Sequence, residues 1–207
     1  MRPWHAGSAV VSLLLMAFAS GAIAPAVNAH ELQANRATLV LRDERHLSLS
    51  LFIDYVEALH ASLAPDRPMQ AFLAQFSAMK PAELQTHLLR TQQQWIRQIE
   101  LSVVDPGRTP AGRPMLPLAL RNWIWPDAPR VQRLLQERLM QELVAPAGHG
   151  HDEPMEIRAE STALRAVSEA RLSLPKAFGR VLIVWYRPRQ FWVDPGTVSG
   201  VIRFTHD

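Results

Sequence analysis

The stretch His46-Leu-Ser-Leu-Ser-Leu-Phe-Ile53 decides the fold class of this chain, because its side chains alternate between two faces. The apolar side chains at the odd-numbered positions share one face, and Ser48 and Ser50 lie on the other. Strict alternation over this length is typical of a β-strand with one buried face. The run before it alternates in the same way, and Asp43-Glu44-Arg45 between the two runs is typical of a turn. We therefore predict a β-hairpin over residues 36–53.

A helical insertion is predicted near residues 54–99, where apolar residues recur every three to four positions. Residues 54–63 predict a first short helix. Asp66 followed by Pro68 predicts an N-cap and the start of a second helix, and Pro81 begins a third. The apolar face of the third helix has four members: Leu84, Leu88, Trp95 and Ile99.

A second inserted helix is predicted near residues 128–144, with Asp127 as its N-cap and Pro146 beyond its end. The core face predicted for this helix consists of Val131, Leu134, Leu135, Leu139 and Leu143. Between the two insertions, residues 100–104 read as a strand, and residues 115–125 predict an edge strand or an irregular one because Pro117 interrupts them.

The C-terminal third of the chain consists of short strand patterns separated by turns. The predicted strands are 155–160, 165–174, 180–186, 190–193 and 198–205, and the third of these is dense enough in apolar residues to be of the buried type. The fold class predicted is mainly β with helical insertions (α+β), an antiparallel β-sandwich. A mixed α+β sheet with helices on one face is the alternative.

The first residues predict export. Arg2 precedes an apolar run over residues 9–18, and Val27-Asn28-Ala29 fits the site read by signal peptidase. We expect residues 1–29 to be a signal peptide cut after Ala29. Residues 30–207 would then form a single periplasmic or secreted domain. Retention of the segment as an uncleaved anchor is the alternative.

Composition restricts the chemistry further. The chain has 207 residues, no cysteine and a formal net charge of +3. Disulfides, thiol catalysis and cysteine-type zinc sites are therefore excluded, and packing alone must hold the domain. Basic residues are scattered rather than clustered, which does not favour nucleic-acid binding. No second apolar run reaches the roughly 18 residues needed to span a bilayer, so no transmembrane span is expected after cleavage.

Two places in the sequence suggest transition-metal binding. Cleavage after Ala29 would give His30 a free amine beside its imidazole, a pair that suits copper and zinc. His149, His151 and Asp152 lie in a glycine-containing loop, residues 145–154, and short histidine-rich tracts favour copper, nickel or zinc. The alternatives are a flexible N-terminus and a solvated polar loop.

Aromatic residues suggest a binding surface formed by Trp123, Trp125 and Trp192. The alternative is that they belong to the core and its edges, which is more typical for Trp185 than for Trp192.

Motifs for hydrolysis are absent: the sequence has no Gly-x-Ser-x-Gly and no His-Glu-x-x-His. Asp54, Glu57 and His60 share one side of a helix and could form a metal or acid–base cluster. A solvated helix face is the interpretation we favour. No enzyme activity is predicted.

Two segments resemble a known family. The start Ala29-His30-Glu31-Leu32 and the segment from Leu174 to Gly196 resemble the exported N-terminal β-domain of HupE/UreJ-type metal-related accessory proteins. The multi-span membrane region of that family does not follow here, so transport is not expected. The resemblance implies an exported accessory protein connected with a transition metal.

Together these features predict an exported accessory or binding protein of the periplasm. It would handle copper, nickel or zinc through His30 and the histidine loop. The alternative is a protein–protein interaction module that uses no metal and works beside a membrane or periplasmic protein. A hydrolase is the least favoured class.

Overall fold

The computed structural model describes residues 35–104, 115–144, 154–188 and 195–196. The chain divides after Gln33, and all of these residues belong to the unit Ala34–Asp207. Within them lie eight strands in two sheets and four helices. The predicted mixture of strands and helices is confirmed.

The helices fall where the sequence predicts insertions, three between the second and third strands and one between the fifth and sixth. The strands are β1 (Asn35–Arg42), β2 (His46–Ile53), β3 (Glu100–Val104), β4 (Met115–Pro117), β5 (Arg121–Ile124), β6 (Met155–Thr162), β7 (Ala170–Ser173) and β8 (Val181–Tyr186). The helices are α1 (Tyr55–Leu63), α2 (Met69–Ser77), α3 (Pro81–Gln98) and α4 (Ala128–Val144). None of these helices is long and apolar enough to cross a membrane.

Strand β2 is the middle strand of the larger sheet, whose order is β5-β6-β2-β1-β8. It pairs antiparallel with β1 on one side and with β6 on the other, so that Leu49 lies opposite both Leu39 and Ala159. The smaller sheet has the order β4-β3-β7, and its pairs are antiparallel as well.

The prediction of a wholly antiparallel fold is wrong at one ladder. Strand β8 runs parallel to β1, with Trp185 beside Leu39. The chain leaves the larger sheet after β6, forms β7 in the smaller sheet and returns as β8. A crossover connection of this kind permits parallel pairing, whereas a tight hairpin does not.

The core lies on the odd-numbered face of β2. Leu47, Leu49, Leu51 and Ile53 are at most 1% exposed. Buried side chains of all four helices and of β3 belong to the same hydrophobic cluster. The members that join this face include Phe72, Leu84, Trp95, Leu101 and Val131.

Trp95 links the helices at the centre of this cluster. Its indole Nε1 donates to Ser62 Oγ at 2.9 Å, and its ring meets the rings of Tyr55 and Phe178 edge-on at 5.5 and 5.1 Å. Gln92 Nε2 donates to the Tyr55 hydroxyl at 3.3 Å. Burial raises the pKa of Tyr55 to about 12, so this hydroxyl stays neutral and apolar packing around it is undisturbed.

Helix caps agree with the sequence in one predicted case and not in the other. Asp127 Oδ1 accepts from the Arg130 backbone N–H at 2.8 Å, which confirms its capping role. Helix α2 begins after Pro68 without a side-chain cap, so the capping role predicted for Asp66 is wrong. The core face of α4 is also shorter than predicted, because Leu143 is exposed.

Two strand predictions are too long. Of residues 165–174, only Ala170–Ser173 form a strand. Residues 115–125 form two short strands in different sheets rather than one. Asn122 has a φ of 52°, and the pairing register between β5 and β6 shifts around it, so the predicted irregularity is present.

Shortening a side chain on the buried face of β2 should test the position of the core. We expect Leu51→Ala to lower the free energy of unfolding by about 2–5 kcal/mol, because Leu51 is fully buried and its loss leaves a cavity. Leu164→Ala, at a side chain that is 96% exposed, should change it by less than about 0.5 kcal/mol. Urea unfolding followed by circular dichroism measures both, and equal losses would contradict the assignment.

Candidate functional site

Strand β8 lies at the end of the larger sheet and carries an unbroken run of apolar and aromatic side chains. Among the described residues it pairs with β1 alone. Leu182, Trp185 and Tyr186 are 56%, 75% and 52% exposed. The prediction that this strand is buried is therefore wrong, as is the expectation that Trp185 belongs to the core.

The two faces of β8 differ in their surroundings. Ile183 and Trp185 lie beside Ala37 and Leu39, so they share the inward face of the sheet. Leu182 and Val184 lie on the outward face. That face is mostly polar on the neighbouring strands, where it carries Thr38, Ser48, Ser50, Glu156 and Arg158. The outward surface therefore becomes apolar at β8.

The inward side chains of β8 open into a groove with a volume of about 860 Å³. One wall comes from the larger sheet and includes Leu39, Leu47 and Trp185. The other wall includes Val167 and, from β7 of the smaller sheet, Leu172. A mostly apolar cleft of this size is typical of a binding site.

Backbone hydrogen bonds fix Val167 in the wall of the groove. Its N–H donates to the carbonyl of Glu44 at 2.7 Å, and its own carbonyl accepts from the Arg187 guanidinium at 3.1 Å. Glu44 and Asp43 both have positive φ values in the turn between β1 and β2. The β1–β2 turn and the end of β8 therefore hold the same residue, and they position the groove between them.

Charged and polar side chains border an otherwise apolar lining. Glu169 and Arg187 both line the groove, as does Ser168. The Glu169 carbonyl accepts from the Val104 N–H at 3.1 Å, which attaches this segment to β3. The groove can therefore accept an apolar group and orient it by charge at its border.

The predicted metal ligands His30, His149, His151 and Asp152 lie outside the described residues, as does Trp192. Within the described ranges, no group of three or more His, Cys, Asp or Glu side chains could hold a metal ion. The N-terminal and loop sites stay predictions.

The other two predicted surface aromatics are half-buried. Trp123 and Trp125 stack with their ring centroids 5.4 Å apart, and Trp125 lies 6.0 Å from Trp95. Both pack against the hydrophobic core. Their role as a binding surface stays a prediction.

The carboxylates and histidine at the start of α1 have separate structural contacts. Asp54 Oδ1 accepts from the Glu57 N–H at 3.0 Å and so caps the helix. Glu57 pairs with Arg138 at 3.8 Å. His60 Nε2 lies 2.7 Å from the carbonyl oxygen of Arg67. These contacts agree with the favoured interpretation of a helix face rather than an acid–base cluster.

Comparison with known proteins gives no relative from which a function could be taken. No protein-family model, no curated protein and no solved structure matches the chain.

The groove is a feature that sequence reasoning missed. Its walls bring together residues as distant as Leu47 and Trp185, and their proximity depends on the parallel pairing of β8 with β1. The only local indication was the absence of charge within residues 181–186, which the sequence alone attributes to burial.

Partial burial of Glu57 at the start of α1 should make stability depend on pH. The pKa of Glu57 is raised above 4.5, first by burial and next by the Asp54 carboxylate, and Arg138 offsets only part of this. The folded chain therefore holds this proton more tightly than the unfolded chain, and the contribution to stability is lost as pH rises through the folded pKa.

We expect Glu57→Gln to flatten the pH dependence of the unfolding free energy above about pH 4.5. The effect should be small, because the side chain is half-exposed. Glu137→Gln on α4 is the control for loss of one carboxylate. Identical pH profiles for wild type and Glu57→Gln, measured by urea unfolding, would contradict this assignment.

Proposed function

We propose that this protein is an exported accessory protein that binds a segment of a partner protein at β8 and its groove. The observation that carries the proposal is the coincidence of an apolar sheet edge, exposed on both faces, with a cleft beneath it. Exposed apolar edges favour pairing with another chain, and natural proteins otherwise protect them. Of the predicted classes, this supports the interaction module without metal.

Export rests on the signal peptide predicted over residues 1–29, which implies a periplasmic or secreted location. A groove of this kind is expected between the two sheets of the predicted sandwich, because each sheet contributes residues to one of its walls. The apolar lining supports binding rather than catalysis, so we propose a binding protein and not an enzyme.

A peptide selection against the native protein tests this function. We expect selected peptides to be extended and apolar. Trp185→Ala should weaken the best of them about tenfold or more, because exposed tryptophans dominate such interfaces. Leu143→Ala is the matched control, since Leu143 is an exposed apolar side chain on α4 that does not line the groove. Fluorescence anisotropy gives the Kd values. Equal binding by wild type and Trp185→Ala would refute the site.

Metal handling is the second candidate, and the sequence observation that favours it is the spacing His149-Gly150-His151-Asp152. His30 would add its amine and imidazole after cleavage. The resemblance to HupE/UreJ-type accessory proteins is in keeping with this function.

Calorimetry of the mature chain with Cu²⁺, Ni²⁺ and Zn²⁺ tests the metal candidate. We expect micromolar binding that His149→Ala/His151→Ala weakens at least tenfold, since two imidazole ligands are lost. One extra residue before His30 should lower the affinity as well, because it removes the amine from chelating position. Absence of heat at micromolar metal would exclude this function, and unchanged heat with the extra residue would exclude a role for His30.

A further inference from the structure

The apolar run of β8 is flanked by one positively charged residue at each end. Arg180 precedes the strand and Arg187 follows it, and both side chains are exposed. Among the described residues, Arg180 makes no ion pair, and Arg187 donates to the backbone carbonyl of Val167. No charged residue lies between them. The edge therefore presents an apolar strip closed by a cation at each end.

The two ends of the larger sheet differ in how open they are to another strand. Strand β5 at the opposite end is short, and Asn122 interrupts its register with β6. Irregularities of this kind protect an edge from pairing. Strand β8 pairs with β1 in unbroken register from Val181 to Tyr186. Only the β8 end is therefore regular and apolar.

From this charge pattern we infer that the partner binds by adding a strand to β8, and that its segment has an apolar centre with a carboxylate at each end. This inference rests on the proposed function and specifies its chemistry. Main-chain hydrogen bonds would supply affinity, and alternate side chains would enter the groove beside Trp185. The terminal carboxylates would lie opposite Arg180 and Arg187, where opposite charges stabilise a cross-strand pair.

The same charges argue against a second copy of this chain. Two-fold symmetry requires β8 to pair antiparallel with itself. Aligned end to end, such a pair brings Arg180 of each copy to the same end of the ladder as Arg187 of the other. Like charges that meet at the same end of a ladder repel each other, most strongly at low salt. An acidic-ended strand has no such conflict.

Two matched peptides test the inference. One has the sequence Glu-Val-Thr-Val-Thr-Val-Thr-Glu, and the other has lysine at both ends. At about 3.3 Å per residue, each is long enough to reach from Arg180 to Arg187. We expect wild type to bind the glutamate peptide about three- to tenfold more tightly at low salt, with the preference shrinking as salt rises. Arg180→Glu/Arg187→Glu should reverse the preference, which a loss of folding would not do.

Hydrogen exchange followed by NMR distinguishes strand addition from other modes of binding. We expect the glutamate peptide to slow exchange of amides within Val181–Tyr186 that exchange rapidly in the free protein. Equal binding of both peptides, or no added protection, overturns strand addition. If a selected peptide still depends on Trp185 in that case, the proposed function stands. Protection of all these amides in the free monomer, or only on dimerisation, also overturns the inference, because the chain or its copy would then occupy the edge.

Discussion

Burial of one face of β2 is the constraint on which the rest of the structure depends. This strand has a neighbour on each side, and its odd-numbered side chains are almost completely inaccessible. A shift of one residue in either register would turn all of them towards the outward face. Because the chain has no cysteine, no disulfide can compensate for such a loss. The leucine alternation therefore sets both the pairing of the sheet and the site where the helices must pack.

The helices complete this core through a few specific contacts. Asn35 at the start of β1 donates to the Phe178 carbonyl at 2.6 Å and accepts from the Asp54 N–H at 2.7 Å. It thus ties the beginning of α1 to the turn before β8. Trp95 of α3 then packs against Tyr55 and Phe178 on the two elements that Asn35 joins. The same contacts that close the core therefore determine where β8 enters the sheet.

The position of the groove follows from the way in which β8 joins the larger sheet. Parallel pairing beside β1 places the strand at the end of the sheet, where its inward side chains Ile183 and Trp185 line the groove instead of the core. Exposure of several large apolar side chains to water is unfavourable in free energy. Proteins usually prevent such exposure at sheet edges by placing charged residues there or by irregular pairing. At β5 the chain uses an irregular pairing, and at β8 it does not. This asymmetry is why binding is assigned to the β8 end.

Local patterns predicted most of the elements because each depends on neighbours in sequence. The β1–β2 hairpin, the helix after Asp127 and the strand at 181–186 all follow from periodicity, turn residues and capping chemistry. Asp66 misled the prediction because an N-cap must also have the right backbone geometry, and here Pro68 immediately precedes the helix. Residues 165–174 alternate, but only part of them finds a partner strand.

The sequence by itself determined that the chain is a cysteine-free mixture of strands and helices with one buried face on β2. Periodicity and composition are local properties, so they can be read without knowing the fold. Only the tertiary structure decided that β8 pairs parallel to β1, that Trp185 is exposed and that a groove lies beneath it. Those facts depend on which distant segments meet, because an apolar strand looks the same in sequence whether it has neighbours on both sides or on one.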